Sequence, residues 1–309
     1  MIGRITNEMT SQMVLSGIQS DLDQLDTSQE ELSTGLSINE PSDNPAGEGL
    51  ALQLNTTLSD LTTYSNNVND GTGWANAATS ALSDMTSAVQ TVQELVEEAA
   101  NGTDTQSDMS AAADEVDQLI DQIKSDADTQ YNGQYIFSGA ATTTEPYQAG
   151  SDDTYAGDTG SVTREIAPGS SVTVNVNLSS VLGNGQTTSG SSAGDGLLLN
   201  TLRNIADDMQ AGNSSALSGT DLTDLQSNLN SLVALSTSVG GTTDRLQMAS
   251  TRIESLQNTT TDTLSNTEDA DMAATETQFS SEQAAFEAAL QSGADIVQES
   301  LMNFLGSSS

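Results

Sequence analysis

The 309-residue chain has no cysteine, no histidine and only six basic side chains. Without thiol or imidazole it can form no disulfide and offers no thiol nucleophile or histidine base. It also lacks the ligands for a zinc, haem or iron–sulfur centre of ordinary type. Aromatic residues make up 3% of the chain, too few to fill a large compact core in the usual way. No apolar run reaches the roughly 18 residues that a membrane-spanning helix needs, so membrane insertion is not expected. The first residues, Met1 to Glu8, lack the apolar centre of a cleaved signal peptide.

What the chain has in excess is acid. Its 44 acidic side chains against Lys124 and five arginines (Arg4, Arg164, Arg203, Arg245 and Arg252) give a formal net charge of −38. Such an anion repels a phosphate backbone, which excludes nucleic acid as an expected partner. High charge with 35% hydrophobic residues leans toward disorder on composition alone. The spacing of the apolar residues therefore decides the fold.

That spacing is heptad-like. Leu15, Ile18, Leu22, Leu25, Leu32 and Leu36 follow 3-4 steps, with Gln29 in the one vacant position. The run stops between Pro41 and Pro45. Leu54, Leu58, Leu61 and Val68 lead into Ala78, Leu82, Met85, Val89, Val92, Val96 and Ala99, and Asn101-Gly102 then signals a helix end. A third run, Met109 to Ala127, should return antiparallel. Further runs occupy Leu198 to Met209, Leu222 to Ile253 and Phe279 to Phe304. Gly71 and Gly240-Gly241 are the points at which a long helix could break. Between the helical halves, Ser171-Val172-Thr173-Val174-Asn175-Val176-Asn177-Leu178 alternates strictly and reads as a strand within Gly-rich loops.

The expected fold is mainly α: a long antiparallel coiled-coil rod built from the N- and C-terminal segments, with a small β-rich insert in the middle. The expected divisions are an N-terminal inner-core helix at 1–40, N-terminal rod helices at 41–139, an exposed β-rich domain at 140–195, a C-terminal rod helix at 196–265 and a C-terminal inner-core helix at 266–309. The terminal helices present narrow seams with no other evident partner in the chain, which points to a core completed by assembly.

Four stretches carry a resemblance. Glu31-Leu32-Ser33-Thr34-Gly35-Leu36-Ser37-Ile38-Asn39-Glu40-Pro41-Ser42-Asp43-Asn44-Pro45-Ala46-Gly47 resembles a signature of the bacterial flagellin superfamily. So do Gln93 to Thr103, Gln134-Tyr135-Ile136-Phe137-Ser138-Gly139, and Glu268 to Ala273 followed by Ala284 to Leu290. They occur in the family's order and are specific jointly. The resemblance implies a structural axial protein of the flagellum, exported without a cleaved signal and active in motility outside the cell. Terminal helices would form the inner core of a hollow helical tube of identical subunits. The implied partners are hook and hook-associated proteins, flagellin and an export chaperone. Within the superfamily, the forms at 41–45, 135–139 and the C-terminus look most like the member that joins hook to filament. The filament subunit itself is the alternative, and a coiled-coil-stalked surface adhesin with its function in residues 140–195 is a second one.

The residues expected at the assembly interface are Leu22, Leu25, Leu32, Leu36, Phe279, Phe286, Leu290, Val297 and Leu301. Pro41, Asn44 and Pro45 are expected to form the joint between terminal and rod helices. No catalytic residue, cofactor or metal site is assigned, because no phosphate loop, nucleophile elbow or cofactor fingerprint is present. Asp152, Asp153 and Asp158 lack the order of a calcium loop and read as a solvated segment. The acid excess and the scarcity of lysine suggest a protein adapted to saline surroundings.

Overall fold

The computed structural model describes residues 7–101, 105–148, 153–184 and 194–306; the side chains of 7, 8, 10, 11, 296, 297 and 299–306 lie outside that description. The architecture is mainly α. The helices are α1 (Asn7–Thr34), α2 (Pro45–Ala100), α3 (Gln106–Ala127), α4 (Ser179–Leu182), α5 (Leu198–Ala211), α6 (Ser214–Ala216), α7 (Leu222–Glu268) and α8 (Met272–Gly306). Two antiparallel hairpins, β1–β2 (Gln130–Tyr131, Gln134–Tyr135) and β3–β4 (Thr163–Ala167, Ser170–Thr173), supply the strands.

Local chemistry sets the ends of these elements. Gly35, at φ +77°, closes α1 by donating its N–H to the Glu31 carbonyl. Asn44 caps α2 by accepting from the Gly47 N–H at 3.0 Å, and Pro45 takes the first helical position, where a missing N–H costs nothing. Thr105 and Asp108 form a reciprocal capping box at the start of α3. Asn132 and Gly133, both at positive φ, make the two-residue turn that joins β1 to β2. Pro168 and Gly169, the latter at φ +67°, make the turn of the second hairpin.

Neither glycine site breaks its helix. α2 runs on through Gly71 for 56 residues, about 84 Å at 1.5 Å per residue. A Cβ at Gly71 would stand 3.0 Å from Val174 Cγ1 and 3.4 Å from the methyls of Leu246, and one at Gly73 would strike the Tyr131 ring. Here glycine makes room for packing. α7 continues through Gly240-Gly241, where nothing approaches within 4 Å.

The alternating stretch is strand only as far as Thr173. Beyond it Val174 donates once more to the Val162 carbonyl. The buried Asn175 then takes over the ladder with its side chain, accepting from the Val162 N–H at 2.8 Å and donating to the Gly160 carbonyl at 2.9 Å. Val172, Val174 and Leu178 are buried, so the alternation reported burial rather than the extent of pairing.

The chain forms two compact units. One comprises residues 61–256 and holds the main core, to which α2, α3, α5 and α7 all contribute. Along α7 the buried apolar positions are Leu225, Leu232, Val239, Leu246 and Ile253, one heptad apart throughout. Trp74 is buried beneath the insert, edge-on to Tyr131, with the Arg164 guanidinium 6.0 Å above its ring. Arg164 also pairs with Asp70 at 2.6 Å, and Asn67 donates to the Glu165 carbonyl, so the second hairpin is fastened to α2.

Asp158 is exposed, as a solvated segment requires, but Asp153 is not. Asp153 is buried and accepts from the equally buried Lys124 at 3.1 Å, while Arg203 grips both of its oxygens and reaches Asp117. Asp158 accepts from the Gly160 and Ala140 N–H groups, and these bonds hold its carboxyl below the usual range. Asp152 lies outside the described residues.

Candidate assembly surface

The other compact unit comprises residues 1–60 and 257–309. In it α1 and α8 pack antiparallel. Ser28 of α1 donates to Glu282 of α8 at 2.5 Å, Thr275 contacts Glu31, and Gly293 lies against Ile18 and Val14. Leu36 bridges Asp269, the Ser37 N–H donates to the Glu268 carbonyl at 2.6 Å and the Ala270 N–H to the Gly35 carbonyl at 2.9 Å. Two helices in contact bury only the stripe between them, and the rest of each must face outward.

That stripe is not the whole apolar set. Val14, Ile18, Leu25 and Leu32 are half-buried, Ser28 is buried, and Phe279 and Phe286 of α8 are half-buried opposite them. Leu36 is half-buried beside Asp269. By contrast Leu15 is 58% exposed, Leu22 41% and Leu290 46%, with Met9, Met13, Leu50, Leu52 and Met272 also exposed in this unit. The side chains of Val297 and Leu301 lie outside the described residues. Leucines left open in this number expose apolar surface that a second surface could cover.

The joint residues act through backbone geometry. Pro41 and Pro45 are exposed, and Asn44 is the cap of α2. Sequence reasoning missed Asp43, whose Oδ2 accepts from the N–H groups of Asn39 and Glu40 and so holds the loop closed. Ile38 is buried against Gly47, where a Cβ would come within 2.6 Å of its Cδ1.

A shallow groove between α1 and α8 is lined by Ser20, Asp23, Thr27, Glu31, Gln278 and Glu282 among others. It is anionic, and none of these is a base aligned on a nucleophile. Among the described residues no cluster of three metal-ligating side chains occurs, and no helix is long and apolar enough to cross a membrane.

Residues 5–142 match the family model described as the bacterial flagellin N-terminal helical region. The flagellin-type region covers α1, α2, α3 and the first hairpin. Beyond it, the fold is similar to that of a flagellar hook-associated protein from Vibrio parahaemolyticus, at TM-score 0.64 and 18% identity, covering 74% of this chain and 100% of that one. It is similar also to Bacillus cereus FlgL (TM-score 0.56, 20% identity, 68% and 97% coverage). Flagellar hook-associated protein 3 of Legionella pneumophila matches at TM-score 0.58 and 13% identity over 69% and 98%. At these identities the likeness is one of fold. None of the curated proteins matches the chain.

Proposed function

We propose that the chain is a structural, self-assembling axial protein of the bacterial flagellum that joins hook to filament in the manner of hook-associated protein 3. The observation that carries this reading is the flagellin-type N-terminal region whose α1, paired with α8, leaves Leu15, Leu22 and Leu290 uncovered. The likeness of fold to hook-associated proteins supports the junction role over the filament role.

In this reading the outward leucines of α1 and α8 pack against neighbouring subunits in a helical tube, and Val297 and Leu301 extend the same contact. Association buries apolar area that the single chain cannot, at about 25 cal/mol per Å². The loop from Pro41 to Pro45, locked by Asp43 and capped by Asn44, fixes how α1 leads into α2. The chain acts in motility, outside the cell, after export without a cleaved signal, and meets hook proteins, flagellin and an export chaperone. Its role is mechanical, with no catalysis.

The test is removal of residues 1–40 and 270–309, followed by motility and electron microscopy of flagella. The axial reading expects hooks without attached filaments. Normal flagella from the truncated chain would overturn it and favour an adhesin. Purified full-length chain that forms long filaments alone would instead identify the filament subunit.

A further inference from the structure

Three of the five described cations are consumed internally: Lys124 and Arg203 by Asp153 and Asp117, Arg164 by Asp70. Arg245 and Arg252 differ. Both are exposed on α7, one heptad apart, and neither forms an ion pair among the described residues. Neither has a carboxylate three or four positions away on its helix, where a local pair would form. In a chain with 44 acids, two cations kept clear of every acid on their own helix face need a reason.

Their surroundings supply one. Gly241, Arg245, Met248 and Arg252 follow at steps of 4, 3 and 4, so they share one stripe of α7. Met248 is 65% exposed, more than any other large apolar residue described. Gly240 and Gly241 are exposed with nothing within 4 Å, although each glycine costs an exposed helix about 1 kcal/mol relative to alanine. No packing among the described residues uses them. A cationic, apolar stripe beside glycines is suited to close approach by an anionic helix.

α3 is such a helix. Asp114 and Asp121 are exposed, one heptad apart, and neither forms an ion pair among the described residues. Seven residues of helix span about 10.5 Å, so the spacing of the aspartates equals that of the arginines. We propose that the Arg245–Met248–Arg252 stripe of α7 docks on the Asp114–Asp121 row of α3 in a second copy of this chain. The proposal rests on the assembly reading above and names the contact that residues 61–256 would make in it. Met248 covers the apolar stems of the paired side chains, and the glycines let the helices close. The contact also selects: a slip of one heptad sets only one of the two arginines against one of the two aspartates and so loses one of the two pairs.

The test is charge exchange in the full-length chain. R245E/R252E and D114R/D121R should each lower the sedimentable fraction about tenfold under conditions where the wild type assembles, because like charges then meet. The fourfold variant should recover assembly to within about threefold of wild type, since the pairs are restored with their signs exchanged. Circular dichroism and thermal melting should stay unchanged in all three, because the four sites are exposed. Undiminished assembly of R245E/R252E would overturn the docking, as would failure of the fourfold variant to recover. If Leu22→Asp blocks assembly while R245E/R252E does not, the axial reading stands and only this contact falls. A wild type that stays monomeric at every salt concentration would overturn both.

Discussion

Gly293 of α8 lies directly against Ile18 of α1: a Cβ at Gly293 would stand 3.1 Å from Ile18 Cδ1 and 3.3 Å from Val14 Cγ1. The two helices are as close there as their side chains allow. Alanine is tolerable, since the Ile18 terminus can yield and alanine favours helix. Gly293→Val adds branched bulk with nowhere to go, and overpacking of this kind costs about 1–3 kcal/mol. The expected outcome is separation of α1 from α8, read as faster protease release of the N-terminal 40 residues. Unchanged cleavage would show that the contact is not a limiting one.

Leu22 should separate assembly from folding. It is 41% exposed, whereas Leu32 is half-buried in the same unit. Leu22→Asp should abolish sedimentable assemblies while leaving monomer helicity within a few percent of wild type. Leu32→Asp should block assembly and weaken the monomer too, because its seam is used within the chain. Sedimentation paired with circular dichroism reads both; normal assembly of Leu22→Asp would remove that residue from the interface.

How much of this was legible follows from the kind of signal each feature leaves. The helices were visible because their apolar residues recur at 3, 4 and 7, and the α7 core positions from Leu225 to Ile253 recur at every seventh residue. The seam of α1 was only half visible. Ile18, Leu25 and Leu32 belong both to the leucine-rich row and to the row that α8 covers, but Val14 and Ser28 belong to the second alone. A buried serine bonded to a glutamate 254 residues away leaves no local pattern. The same holds for Asp153. Its aspartate looks solvated in a loop of Gly and Ser, and only the fold brings Lys124 and Arg203 to it.

That ion cluster predicts its own stability test. Lys124 is fully buried, and Asp153 is shared between it and Arg203. Asp153→Ala strands buried positive charge and should cost about 3–5 kcal/mol. Lys124→Met keeps the volume and removes the charge, leaving Asp153 to Arg203, and should cost less. Trp74, the only tryptophan and 1% exposed, reports unfolding by its emission in a denaturant titration. Equal losses in the two variants would contradict this ordering.

Asp221 gives a pH dependence of definite sign. It is buried at the end of a π-helical turn (Leu217–Asp221), its Oδ2 has no hydrogen-bond partner among the described residues, and Asp208 and Asp224 face it. Burial, then the neighbouring Asp208 charge, pushes its carboxyl up to about 6. Burial does the same to Asp128, also to about 6. An acid raised on folding holds its proton better in the folded chain, so its contribution is complete below the unfolded value of 3.8 and is lost as pH rises through about 6. Asp221→Asn should therefore narrow the gap between urea midpoints measured at about pH 4.5 and about pH 7.5, by raising the latter. A gap as wide as wild type would mean that Asp221 does not titrate in this range.

Salt should govern assembly through the whole charge rather than through any pair. Every subunit brings a net charge of −38, and a polymer sets those charges side by side. At 0.01 M salt the screening length is about 30 Å, so neighbouring subunits repel across their full width; at 1 M it is about 3 Å and the repulsion is confined to direct contacts. Apolar contacts of the kind proposed for Leu15, Leu22 and Leu290 are not weakened by salt and are strengthened by excluded anions such as sulfate. The sedimentable fraction should accordingly rise steeply with ionic strength, from near zero at about 0.01 M to near completion at about 1 M. The Arg245 and Arg252 contacts oppose this trend, so R245E/R252E should shift the midpoint to still higher salt rather than flatten the curve. Assembly that is equally complete at both ends of the titration would refute the electrostatic account.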